Sequence, residues 1–329
     1  MRPCSNMLWR RVVDALVQVC RRTYPLLRGR YEKLMKLIAL ILGLGLERLA
    51  TRFPHLRELR WLDPYFDIGM ARLRGANTLI VYLGSVVLLI VPAIPVYWAS
   101  RTLIGTGILW DLPYLLFAVL GVFFCLGPRD LAREVEEYCE ALASSDDAWA
   151  ERVLNELCEV EHSEADDLDA VKEAIFVQAT NRFFGVMFWF IALGPVGAWL
   201  FRLSDLLRRR AAVVAGWDPD GVRLALPAVE NIHGTLVWIP ARLAVVGYAL
   251  SGNFDDAFDR WRNYELKSGL PFHRSNDEVV ACVGKAAMMG SMIDESVPAA
   301  ARRAMQLVNR TLFVWVTVLS VMTLYGWVV

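Results

Sequence analysis

The last stretch of this chain, Thr311 to Val329, contains no charged side chain, and no other feature restricts the fold as strongly. A helix needs about 20 mostly apolar residues to cross roughly 30 Å of hydrocarbon. Backbone polar groups have no water to bond with in lipid, so such a stretch satisfies them internally, as a helix. Thr78 to Ser100 is also uncharged, with Pro92 and Pro95 expected to kink its second half, and Ile108 to Gly127 carries only Asp111, near one end. Trp315, Tyr325 and Trp327 are suited to anchor the last span at the interface.

Two other stretches are less regular. Leu37 to Leu46 reaches the length of a span only by starting near Tyr31 or by snorkelling Lys33, Lys36, Glu47 and Arg48 toward the two surfaces. Phe183 to Phe201 is uncharged but interrupted by Gly194, Pro195 and Gly197. A re-entrant hairpin is preferred there over a straight crossing. Arg182 precedes it and Arg202, Arg208, Arg209 and Arg210 follow it, which keeps both flanks on one side.

Hydrophobic residues make up 56% of the chain, yet 21% are charged, so sizeable aqueous segments must separate a modest number of spans. The expected fold is all-α and polytopic, with about four transmembrane helices (Leu37–Leu46, Thr78–Ser100, Ile108–Gly127 and Thr311–Val329), the hairpin, and a helical cytoplasmic portion. Arg48, Arg52, Arg57, Arg60, Arg72 and Arg74 place the first loop inside, against one arginine in the link Arg101 to Gly107. The divisions read 35–127 for three spans, 128–182 for an acidic helical pair, 183–203 for the hairpin, 204–309 for a second cytoplasmic region and 310–329 for the last span.

In the aqueous part Leu131, Val135, Tyr138 and Leu142, then Val153, Leu157 and Val160, recur at helical spacing, with a turn at Ser144 to Asp147. Phe254 to Leu266 forms another amphipathic helix with Phe254, Phe258 and Trp261 inward, started by Asn253. Residues 1–34 are arginine-rich. They read either as an upstream extension from a misassigned start, since Met35 would begin a membrane protein well, or as a surface helix with the stripe Leu8, Val12, Leu16 and Val19.

Catalytic signatures are missing. Gly284-Lys285 lacks the rest of a phosphate-binding loop, Gly43-x-Gly45 reads as close helix packing, and there is no G-x-S-x-G, H-E-x-x-H or C-x-x-C. Cys4, Cys20, Cys125, Cys139, Cys158 and Cys282 have no metal-site spacing and read as reduced thiols. Thirty-five basic residues balance thirty-five acidic ones, which gives no basis for nucleic-acid binding. The carboxylate-rich segment Glu134 to Asp169 reads as a solvated face with a flexible loop. The candidate ligand residues are Arg182 and Arg242, planar cations beside apolar stretches, with Glu173 and Glu230 as ion-pair partners and His233 as the one histidine in polar company.

Phe188-Trp189-Phe190-Ile191-Ala192-Leu193-Gly194-Pro195-Val196-Gly197-Ala198 with Arg202-Leu203, and Trp238-Ile239-Pro240-Ala241-Arg242-Leu243, resemble the AmpE family. So do Gly252-Asn253-Phe254, Ala257-Phe258, Trp261 and Leu324-Tyr325-Gly326. The resemblance spans Met35 to Val329, and Gly194, Pro195, Gly197 and Pro240 are its structural signature. It implies a bacterial inner-membrane regulatory protein associated with β-lactamase induction and cell-wall recycling. Its partners would be the bilayer, an anionic small ligand or a membrane protein. The same pieces are similar, more distantly, to the CobD/CbiB synthases of cobalamin assembly, which form an amide. That likeness brings magnesium or nucleotide into view as cofactors. Here Glu173 to Arg182 runs directly into Phe183-Phe184-Gly185, without the acidic Asp-Gly of those enzymes.

Overall fold

A computed structural model describes residues 34–47, 59–103, 112–127, 130–144, 146–158, 168–265, 272–288 and 296–325. The amino-terminal extension, Asp111, the acidic loop 159–167 and residues 326–329 lie outside them. Among the described residues every long element is a helix. α1 covers residues 34–47. It is followed by α2 (Asp63–Arg72), α3 (Thr78–Leu103), α4 (Leu112–Cys125), α5 (Leu131–Ala143), α6 (Asp147–Cys158) and α7 (Leu168–Leu193). Then come α8 (Pro195–Trp217), α9 (Ala225–Ser251), α10 (Phe254–Glu265), α11 (Phe272–Ala287) and α12 (Val297–Leu324).

Among the described residues, four helices are long and apolar enough to cross a membrane: Thr78–Leu103, Leu168–Leu193, Ala225–Ser251 and Val297–Thr323. The number agrees with the sequence expectation, and the membership agrees in part. α3 matches Thr78–Ser100, and the helix containing Thr311 starts back at Val297. Ile108–Gly127 yields the shorter α4, and Leu37–Leu46 lies in the short α1. α7 and α9 take the remaining places. The expected divisions cut α7 at Arg182 and put α9 within the cytoplasmic region 204–309; in the fold, protein partners satisfy Arg182, His233 and Arg242 inside the bundle.

Burial separates the four helices. Of the apolar window in α7, 78% is enclosed by protein, against 22% in α3 and in α12. α7 is therefore a central strut. α3 turns Leu79, Leu83, Val87, Ile90 and Ile94 outward, where lipid rather than water suits them.

α7 and α8 form a tight helical hairpin. Gly194 sits at φ 70°, a conformation that favours glycine, its N–H still closes α7 on the Phe190 carbonyl at 2.7 Å, and Pro195 opens α8 at a first-turn position where no N–H is needed. A Cβ at Gly197 would collide with the Trp189 carbonyl, and one at Gly185 with the Phe201 ring. These pairs, 189 with 197 and 185 with 201, have the constant sum that an antiparallel register demands. The helix returns on itself at Gly194, as the sequence break implied. A π-turn over Thr180–Phe184, buried throughout, offsets α7 just where Arg182 emerges.

Prolines inside helices leave the carbonyl four residues earlier without its usual donor. Pro92 frees the Leu88 carbonyl, which accepts from the Tyr65 hydroxyl of α2 at 3.2 Å. Pro240 frees the Leu236 carbonyl, which accepts from Trp189 Nε1 of the hairpin at 3.0 Å. Pro240 thus fastens α9 to the hairpin. Trp189→Phe removes this donor while keeping an aromatic ring, and it should cost about 1–3 kcal/mol, read as a lower unfolding temperature in detergent.

The amphipathic helices follow the pattern in part. Leu131, Val135, Tyr138, Val153 and Leu157 are buried, while Val160 lies outside the described residues. Asp146 caps α6 through the Trp149 N–H at 3.0 Å. Gly43 packs as expected, since a Cβ there would lie 2.7 Å from Val122, whereas Gly45 has open space. In α10 the expected inward set is corrected. Phe254 and Phe258 point outward, and the buried residue is Ala257, with Trp261 and Tyr264 half-buried. Its small side chain brings the α10 backbone close to its neighbours, turning the two phenylalanines away.

Candidate functional site

After Phe201 the sequence of α8 changes from apolar to Arg202, Ser204, Asp205, Arg208, Arg209 and Arg210. Steps of three and four bring Arg202, Asp205, Arg208 and Arg209 onto neighbouring positions of one helix face. Asp205 is 0% exposed and accepts from Arg202 Nη1 at 2.8 Å, Arg208 Nη2 at 3.2 Å and Arg209 Nε at 3.0 Å. Burial by itself works against the Asp205 charge. Arg209, Arg208 and Arg202 outweigh it and hold the carboxyl well below the usual carboxylate range.

The network runs on into α7 and α5. Arg209 Nη2 donates to Gln178 Oε1 at 3.2 Å, and Arg182 Nε donates to the same oxygen at 3.0 Å. Gln178 Nε2 donates to the Leu157 carbonyl at 2.9 Å, which fixes the amide orientation. Arg182 Nη1 reaches Glu134 Oε2 of α5 at 2.7 Å, both side chains being largely shielded from solvent. Gly127, at φ 109°, lets the backbone pass the Arg182 side chain.

α9 supplies His233, which is buried. The Ser204 hydroxyl donates to the Phe201 carbonyl at 2.7 Å and so accepts from His233 Nδ1 at 2.9 Å, which assigns the ring proton to Nδ1. Arg210 leaves the cluster and grips Asp67 of α2 through two bonds of 2.7 and 2.5 Å. The hairpin base thus gathers five helices, α5 to α9, around a buried polar network, with Arg208 and Arg209 about a quarter exposed at its edge.

The predicted site residues divide. Arg182 and His233 belong to this network. Arg242 engages a different set: its guanidinium lies 5.0 Å from the Trp238 ring centroid and donates to Asn276 Oδ1, whose Nδ2 donates to the Gly234 carbonyl at 2.8 Å. Glu173 is exposed and pairs with Lys285 at 3.5 Å, and Glu230 is half-buried early in α9. The carboxylate facing Arg182 is Glu134, rather than Glu173 or Glu230.

Asp205, Glu134 and Gln178 escaped the sequence reading. Asp205 had a legible signal, a lone carboxylate at helical spacing among four arginines straight after an apolar run. Glu134 and Gln178 are far from the cluster in sequence and had none. Among the described residues, no three His, Cys, Asp or Glu side chains gather as a metal site would require.

The family model for the regulatory signalling modulator protein AmpE matches residues 35–329. The chain is 24% identical over 267 residues to the cobalamin biosynthesis protein CobD of Chromobacterium violaceum, covering 74% of this chain and 78% of that protein. It is 28% identical over 180 residues to the CobD protein of Stutzerimonas stutzeri, covering 53% and 55%. To protein AmpE of Shigella flexneri it is 24% identical over 225 residues, covering 67% and 77%. No solved structure matches it significantly.

Proposed function

The chain belongs to the AmpE family, and from that premise we propose that it is a regulatory protein of the bacterial inner membrane that couples cell-wall recycling to β-lactamase induction. The observation that carries this reading is the family match along residues 35–329. In this reading α5 and α6 face the cytoplasm. An anionic ligand meets the arginine face of α8, with Arg182 behind it, and competes with Asp205 for Arg208 and Arg209. Because Arg209 and Arg182 share the Gln178 oxygen, a shift of Arg209 reaches Glu134 and hence α5. The signal passes to a membrane partner protein through α5 and α6.

Deleting the gene tests the role. The expected result is altered β-lactamase induction on β-lactam challenge; unchanged induction together with unchanged muropeptide pools contradicts it.

The likeness to CobD proteins favours a second reading, a diverged synthase-like membrane enzyme, although the fold does not bring Glu173 and Glu230 together as a shared magnesium or nucleotide site. Thermal stabilisation of the purified protein by magnesium nucleotides, with no response to muropeptides, would support that reading over the first.

A further inference from the structure

α9 presents a row of large apolar side chains away from the protein: Ile239, Leu243, Val246 and Leu250, at steps of four, three and four residues. In a helix long and apolar enough to cross a membrane, such a row faces lipid. Only Gly252 and Asn253 separate its end from α10, where Phe254 and Phe258 are 52% and 47% exposed. Their rings stack nearly parallel, 9° apart with centroids at 5.8 Å, and form one flat apolar ledge.

The ledge is held in place. The Asn253 N–H donates to the Ala287 carbonyl at 2.8 Å, a Cβ at Gly252 would collide with that same carbonyl, and Ala257 is fully buried. Asn253 and Asp256 cap the helix start reciprocally, Asn253 Nδ2 donating at 2.6 Å. α10 therefore cannot roll its phenylalanines inward. Its exposed polar edge carries Asp255, Asp256 and Asp259 beside Arg260 and Arg262, an acidic balance that gains nothing from anionic headgroups.

We propose that α10 is an interfacial membrane anchor, with Phe254 and Phe258 inserted at the headgroup–acyl boundary of the bilayer as the continuation of the lipid-facing row of α9. The attachment is apolar and does not require acidic lipid. It rests on α9 lying in the bilayer.

The test uses the full chain in phosphatidylcholine vesicles, with and without phosphatidylglycerol. Trifluoromethylphenylalanine is placed singly at Phe258, at Val246 in the α9 row and at Asn263 on the exposed polar edge. Fluorine line broadening is read with a nitroxide carried high on the acyl chain and with an aqueous paramagnetic chelate. The expected result is that the lipid nitroxide erases the signals at 246 and 258 and spares 263, the chelate does the reverse, and phosphatidylglycerol changes neither. A signal at 246 lost to lipid with 258 lost to the chelate overturns the anchor and leaves the α9 span standing. A signal at 258 shielded from both agents means that protein covers the ledge and also overturns it. If 246 escapes the lipid nitroxide, the α9 span fails, and the anchor fails with it.

Discussion

Asp205→Asn is expected to cost on the order of 3–5 kcal/mol, enough to lower sharply the amount of folded protein recovered from membranes. Asparagine keeps the shape but removes the charge that three guanidiniums share in a fully buried position. What is left is a set of like charges without its counter-ion, the situation that makes breaking a buried pair so much worse than never building it. The pH dependence has a definite sign. The folded-state carboxyl is held below its ordinary value, so its contribution is fully present above the unfolded pKa of about 3.9 and is lost as pH falls through the lower folded value. Wild-type protein should therefore lose stability on acidification below that point. Asp205→Asn should lack this component of the loss, read by thermal unfolding in detergent across pH.

Gly197→Val is the second large effect. The Trp189 carbonyl already occupies the space a Cβ would need, and a backbone atom cannot swing aside as a side-chain tip can. The hairpin must open, at a cost of about 3 kcal/mol or more. Opening it also pulls Trp189 Nε1 from the Leu236 carbonyl that Pro240 left without a donor. Gly216→Val is the natural control, since a Cβ there meets nothing within 4 Å. The first should reduce folded yield and the second should not.

Much of the architecture was written plainly in the sequence. Charge-free runs mark α3 and the membrane part of α12, because excluding charge from lipid is a local, compositional demand. The hairpin was legible for a similar reason: glycine and proline announce a backbone break wherever they interrupt an apolar run. α9 was not legible. Its Glu230, His233 and Arg242 argue for water when read alone, yet Ser204, Asn276 and Trp238 supply partners for His233 and Arg242, and only the folded chain brings Ser204 and Asn276 there. The outward turn of Phe254 and Phe258 was hidden likewise. A period of 3.6 identifies the stripe that is apolar and cannot say whether protein or lipid covers it.

The site was half legible. Arg182 and His233 were found from the company they keep in sequence. In sequence Arg202, Arg208, Arg209 and Arg210 orient the hairpin and Arg202 also extends the AmpE-like motif, whereas in the fold three of them converge on Asp205 and the fourth grips Asp67. Gln178 is the join that no local pattern announces, because its oxygen receives one arginine from its own helix and one from the next.

The regulatory role of the arginine face is read in β-lactamase induction by a deletion strain complemented with Arg209→Gln. Arg209 lies at the exposed edge of the network and touches both Asp205 and Gln178. Glutamine removes the charge a ligand would meet and leaves Arg202 and Arg208 to hold Asp205. With the variant present in membranes at the wild-type level, induction is expected to stay below wild type. Full restoration at equal protein level would contradict a role for Arg209 in signalling.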